Sequence, residues 1–131
     1  MTWTQRILFA QMGTLFGVLS LYTVVAGMER YLFFIMIVVT GLIVAWLARE
    51  RFLREGFILG FMTWYLAILV QGVFIDIYLE NNPQYRDLAE GLPMGEQMAT
   101  LLGGIIIAPG YGLLSGVVAY LANLVRVKIS R

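Results

Sequence analysis

The chemistry available to this sequence rests on a few polar side chains set within long apolar stretches. Asp76 is the carboxylate closest to such a stretch, with Gln71 shortly before it. An ionisable group inside an apolar span is costly and therefore indicates a functional site by default. Backbone carbonyls released by Pro109 could join Thr100 and Tyr111 of the same stretch in an oxygen-rich site. The sequence thus predicts a binding site for a cation, a proton or a small solute.

The position of Asp76 favours a second interpretation. It falls about 20 residues into its apolar stretch, which is roughly the length that spans a bilayer. Tyr78, close by, is of a type enriched at the membrane–water interface. Because the cost of a charge falls near the headgroups, an ordinary interfacial acid is the alternative to a buried site.

Several classes of chemistry are excluded by residue types that the sequence lacks. Cysteine and histidine are both absent, which excludes disulfides, thiolate chemistry, cysteine-held zinc or iron-sulfur clusters and histidine-ligated haem. Serine without histidine offers no nucleophile–base pair, and no metal-ligand spacing is present. We therefore predict a non-enzymatic protein with no cofactor and no metal of its own.

The distribution of charge defines the elements that would position these residues. Nine basic and eight acidic residues are confined almost entirely to the two ends and three short connectors. Hydrophobic residues make up 60% of the chain, against about 45–50% in soluble domains. Four apolar stretches reach or approach the roughly 20 residues that cross a bilayer.

These stretches predict an all-α integral membrane protein, a single domain over residues 1–131 with four transmembrane helices in an antiparallel up-down bundle. The predicted helices cover residues 5–26, 31–48, 56–79 and 98–125. The loop at 80–97 separates the last two, and its Asn-Pro pair predicts a short helix over 83–90. A cleaved signal peptide is the alternative for the first stretch, although its apolar run is longer than usual.

Orientation follows from the basic residues. If the chain crosses four times, seven of the nine lie on one side: Arg6, Arg49, Arg51, Arg54, Arg126, Lys128 and Arg131. The positive-inside rule then predicts both termini in the cytoplasm, loop 80–97 on the outer side, and residence in a plasma or inner membrane. The arginines of the connector at 49–55 act as topogenic anchors or, alternatively, contact anionic lipid. A net charge of +1 gives no basis for nucleic-acid binding.

The fourth stretch departs from a simple span. It holds no charge from 98 to 125 and contains Pro109 and Gly110 near its middle. Proline removes a backbone donor and clashes with the carbonyl four residues earlier. We therefore predict a kink or a short unwound segment near Pro109 and Gly110.

Small residues recur at a spacing of four in several stretches, and this spacing places them on one helix face. Small residues let two helix backbones approach closely in a membrane. The predicted packing positions are Gly13, Gly17, Gly56, Gly60, Gly104, Gly112 and Gly116. The sequence leaves open whether they pack within one chain or between chains.

Three functions remain open at this level. The first is a non-enzymatic assembly or accessory component that packs through its small-residue faces, as a homo-oligomer or within a larger membrane complex. The second is a small oligomeric transporter or channel, with a site near Asp76 and the break in the fourth helix. The third is a lipid-binding or holin-like protein.

Overall fold

Every regular element in the computed structural model is helical over the residues that the structure describes, which are 1–22, 28–86 and 93–129. Three of the helices are long and apolar enough to cross a membrane, over Arg30–Leu47, Phe52–Val73 and Glu96–Lys128. The helices are α1 Trp3–Ala10, α2 Met12–Leu21, α3 Met28–Leu47, α4 Phe52–Val73, α5 Ile75–Asn81 and α6 Glu96–Ile129. This part of the chain confirms the prediction of an all-α protein with membrane-type helices.

The first predicted helix is divided in two. A capping box between Thr2 and Gln5 starts α1, which satisfies amides that have no partner within the helix. At Gln11 the backbone N–H is shared between the Leu8 and Phe9 carbonyls, and this tightens the turn locally. Helices α1 and α2 have 8 and 10 residues, so neither alone has the length of a membrane span.

The third predicted helix is also divided. Helix α4 begins at Phe52, earlier than predicted, after Arg51 turns the chain with a left-handed backbone (φ 57°). Phe74 leaves the helical conformation (φ −109°, ψ 41°) and separates α4 from α5. Of the short helix predicted over 83–90, the structure describes a 3-10 turn over Pro83–Tyr85 and Arg86 in helical conformation, and residues 87–90 lie outside the described residues.

Helix α6 is continuous over 34 residues and passes through Pro109. The unwound segment predicted at Pro109 and Gly110 is therefore not formed. Continuity is reasonable because a proline costs one helical hydrogen bond, which the rest of a long helix can tolerate in a membrane protein. A bend at this point stays a prediction.

The contacts between helices give their relative directions. Along α4 and α6, Gly56 meets Gly116 and Ile68 meets Gly104, so the two helices are antiparallel. Two further pairs, Gly13 with Thr63 and Gly17 with Val70, show that α2 runs parallel to α4.

Helix α3 follows α6 in direction. Gly41 meets Val118, and the Arg126 guanidinium donates to the Ala45 carbonyl at 3.1 Å. The segments α1–α2, α3, α4 and α6 therefore alternate in direction. We call the end of the bundle that holds Arg6 and residues 48–51 the Arg6 end, and the opposite end, which holds α5, the α5 end.

The glycines predicted to pack lie at contacts between helices of this one chain. A methyl group at Gly56 would come within 2.6 Å of the Gly116 Cα, and one at Gly112 within 2.7 Å of the Phe57 carbonyl oxygen. The same is true of the remaining predicted positions, which meet neighbouring helices: Gly13, Gly17, Gly60, Gly104 and Gly116. These small residues therefore set the close approach of α2 and α6 to α4.

Candidate functional site

A cavity of about 430 Å³ lies between α3, α4 and α6 toward the α5 end. Its volume falls within the roughly 300–1,000 Å³ of small-molecule sites. Among the described residues it is lined by Arg30, Phe33, Trp64, Ile68, Gln71, Tyr78, Tyr85, Ala99, Thr100, Gly103, Gly104, Ile107 and Tyr111. Helix periodicity explains this set, because residues three, four or seven apart on α4 and α6 share a face.

Aromatic rings form much of the cavity wall. Trp64 stacks on Tyr111 with ring centroids 3.6 Å apart, and Phe33 meets the Trp64 ring edge-on at 4.4 Å. Toward the α5 end, Tyr78 and Tyr85 stack at 5.9 Å. Phe33 and Trp64 are 7% and 5% exposed, so each ring presents only a small part of its surface. That surface is largely aromatic, which favours a ligand that carries a ring or a broad apolar face.

The polar groups of the cavity are few. Gln71 is 2% exposed and donates its side-chain N–H to the Ser20 hydroxyl at 2.9 Å, while the Trp64 indole N–H donates to the Gly104 carbonyl at 3.1 Å. Arg30 and Thr100 also line the space. The described lining residues include no carboxylate.

The structure separates the predicted binding residues into two groups. Gln71, Thr100 and Tyr111 come together in the cavity. Asp76 is exposed on α5 and Pro109 is exposed on α6, and neither is among the lining residues. Asp76 and Pro109 are therefore not part of this cavity, and a site that joins them stays a prediction.

Other lining residues were not predicted from the sequence. Phe33, Trp64, Tyr78 and Tyr85 are aromatic residues of apolar stretches, a position shared by core and lipid-facing side chains. One available signal was the spacing of Trp64, Ile68 and Gln71, which places an indole and an amide on one face of α4.

A buried polar network lies beside the cavity at the α5 end. The Ser20 hydroxyl donates to the Gly17 carbonyl at 2.7 Å and accepts from Gln71. The Asn82 amide donates to the Tyr78 carbonyl at 2.9 Å and the Ser20 carbonyl at 3.3 Å. These bonds connect α2, α4 and α5, so Gln71 has a structural contact as well as a place in the cavity wall.

A buried ion pair lies at the Arg6 end. Arg6 and Glu55 are 7% and 6% exposed, and the guanidinium donates from Nη2 to Oε1 at 2.7 Å and from Nε to Oε2 at 3.0 Å. The Met1 amine lies 3.6 Å from the same carboxylate, and the Trp3 ring lies 4.6 Å from the guanidinium carbon. The sequence indicated only an anchoring role for Arg6, since nothing local shows that Glu55 faces it.

The other predicted topogenic residues lie around the same end. Arg49, Arg51, Arg54, Arg126 and Lys128 are exposed, whereas Arg131 lies outside the described residues. No group of three or more potential metal-ligating side chains occurs among residues 1–22, 28–86 and 93–129.

Comparison with known proteins provides no family on which to base a function. No protein-family model matches the sequence, no curated protein matches it, and no solved structure matches the fold. The cavity and its chemistry are therefore the basis for a functional proposal.

Proposed function

We propose that this chain is a non-enzymatic integral membrane protein that binds a small, largely apolar molecule in the cavity between α3, α4 and α6. The observation that carries the proposal is the convergence of Gln71, Thr100 and Tyr111 on one space whose remaining wall is mostly apolar. An apolar cavity with a small number of polar groups that converge on the same space is typical of ligand sites. Such a site would serve a small transporter or a membrane receptor equally well.

We further propose that the chain crosses the membrane four times. Helices α1 and α2 together extend over Trp3–Leu21, which at 1.5 Å per residue is about 28 Å and close to the hydrocarbon thickness. Their direction parallel to α4 requires that α3 return the chain between them. Four crossings in one bundle account for these directions.

Orientation in the membrane follows from the exposed basic residues at the Arg6 end. The positive-inside rule places that end in the cytoplasm, with both termini. The cavity then lies in the outer half of a cell membrane. A bend of α6 at Pro109, two residues before Tyr111, would adjust the width of the cavity at its deeper part.

Filling the cavity tests the proposed site. Gly103 lines it, and a methyl group there would meet nothing within 4 Å, so Gly103→Leu should occupy the space without disturbing the helices. In a variant with Trp3→Phe and Trp46→Phe, Trp64 is the remaining indole, and we expect acrylamide to quench its fluorescence. Gly103→Leu should reduce the quenching constant by about half or more, because it blocks access of the quencher to the ring.

The matched control is Gly110→Leu on the same helix. Gly110 also meets nothing within 4 Å, but it does not line the cavity. Quenching of Trp64 should be unchanged in this variant. Equal quenching in both variants, or no quenching of Trp64 in the parent, would contradict an accessible cavity.

A second candidate function is that of an assembly component. Because the predicted packing glycines contact helices of their own chain, they do not support it. The outward face of α6 does, since only 28% of an apolar 18-residue window of this helix is buried in the bundle, and Gly110 leaves room there for a second helix. Native mass measurement in mild detergent tests this role: a single-chain mass with no bound protein would argue against it.

A further inference from the structure

We propose that the occupant of the cavity is a neutral, lipid-soluble quinone, a flat ring that carries carbonyl oxygens. This inference rests on the proposed function and specifies the ligand class of the same site. It is argued from the shape of the wall, the hydrogen-bonding character of the lining and the path by which the cavity opens.

The wall favours a planar ring. The ring planes of Phe33 and Trp64 meet at 62°, and Trp64 and Tyr111 are stacked at 12°. An additional ring can pack offset or edge-to-face against the parts of these rings that stay uncovered, chiefly on the half-buried Tyr111. Ile68 and Ile107 complete the wall with apolar carbon, which suits a ring better than a flexible polar solute.

The polar groups favour hydrogen-bond acceptors on the ligand. Arg30 has an interaction within the protein, and its guanidinium carbon lies 5.6 Å from the Tyr31 ring centroid, whereas the Thr100 hydroxyl can donate to a ligand. The Thr100 hydroxyl makes no hydrogen bond with another residue in the described part of the chain. With no carboxylate among the described lining residues, an organic cation would lack a counter-charge there. A ring carbonyl matches the Thr100 donor.

The opening of the cavity fits a ligand that carries an apolar tail. Ile107 lines the cavity and is also 52% exposed, so the space is open along α6. In a bilayer that side of α6 faces lipid. A ring could therefore lie against Trp64 and Tyr111 while its tail extends past Ile107 into the acyl chains.

The test uses the full chain in lipid nanodiscs, with Trp64 as the remaining tryptophan, and three probes: a decyl-substituted benzoquinone, decanol and tetraphenylphosphonium. An occupied cavity should protect Trp64 from acrylamide, and the quinone should in addition quench it directly. We expect saturable effects from the quinone alone. Gly103→Leu should abolish them and Gly110→Leu should leave them unchanged.

Thr100→Val tests the hydrogen bond to the ring carbonyl. It keeps the shape of the side chain and removes the donor, so the quinone Kd should rise by about 2- to 10-fold, the effect of losing one ordinary hydrogen bond. Thr14→Val, on α2 and away from the lining residues, should leave the Kd unchanged.

Tetraphenylphosphonium or decanol, and not the quinone, could give saturable protection of Trp64 that Gly103→Leu abolishes. That result would overturn the ligand class and leave the proposed function standing. If no probe protects Trp64, and acrylamide quenches Trp64 equally in the parent and in Gly103→Leu, both the ligand class and the proposed function are wrong. An unchanged quinone Kd in Thr100→Val would overturn the assignment of the carbonyl to Thr100.

Discussion

Replacement of Glu55 by glutamine is expected to lower the free energy of unfolding by about 3–5 kcal/mol, the usual cost of removing one partner from a buried ion pair. The Arg6 guanidinium donates to both carboxylate oxygens of Glu55, and both side chains are buried. Glutamine keeps the shape and one acceptor oxygen but removes the negative charge. Arg6 and the nearby Met1 amine would then share a buried site without a counter-charge.

Unfolding by SDS in mixed micelles measures this loss. Glu50→Gln is the matched control, because Glu50 is exposed and its 3.8 Å contact is with the exposed Arg51; such surface pairs contribute about 0–1 kcal/mol. A double variant, Arg6→Met with Glu55→Met, should recover much of the stability, since a well-packed apolar pair can replace a buried ion pair. A loss in Glu55→Gln no larger than in Glu50→Gln would contradict a buried, paired Glu55.

Replacement of Gly56 by leucine is expected to lower the free energy of unfolding. The loss should equal or exceed the value of about 1–3 kcal/mol that is typical of overpacking. Its neighbours at the contact are the Gly116 backbone at 2.6 Å and the Ser115 carbonyl oxygen at 2.9 Å from an added methyl group. Backbone atoms cannot rotate away as a flexible side chain can, so α4 and α6 must separate. Because this crossing joins the two longest helices, the separation removes contacts along much of their length.

Thermal unfolding followed by circular dichroism measures this effect, with Gly110→Leu as the matched control. Gly110 lies on α6, the helix that Gly56 packs against, but nothing lies within 4 Å of an added methyl group. The control should retain the parent Tm, whereas Gly56→Leu should show a clearly lower Tm or fail to fold. Equal stability of the two variants would show that α4 and α6 do not cross at Gly56.

Much of the fold could be predicted from apolar length and charge. The bounds of α3 and α6 lie within a few residues of the predicted ones. The uncharged stretch makes up most of each helix, and the helix continues only a few residues into the flanking charged segments. The divisions at Gln11 and Phe74 could not be predicted, since each depends on local backbone conformation in residues of ordinary type. Continuity of α6 through Pro109 likewise depends on the rest of a long helix, which a single-residue rule does not consider.

The site was predictable only in part. Gln71, Thr100 and Tyr111 stood out as polar groups in apolar stretches, and all three line the cavity. Asp76 stood out more strongly because of its charge, yet the turn at Phe74 places it on a separate short helix, where it is exposed. Pairing of Arg6 with Glu55 depends on the register of α1 against α4, which no local pattern reveals.

We propose that the chain forms a four-crossing bundle with an accessible cavity in its outer half, and labelling from each side of the membrane tests this arrangement. The chain has no cysteine, so single-cysteine variants can be labelled in sealed vesicles with a membrane-impermeant maleimide. Met94→Cys and Thr100→Cys should react from one side only, and Arg54→Cys only from the other. Labelling of Met94→Cys and Arg54→Cys from the same side, or of Thr100→Cys from the Arg54 side, would contradict this arrangement of the bundle in the membrane.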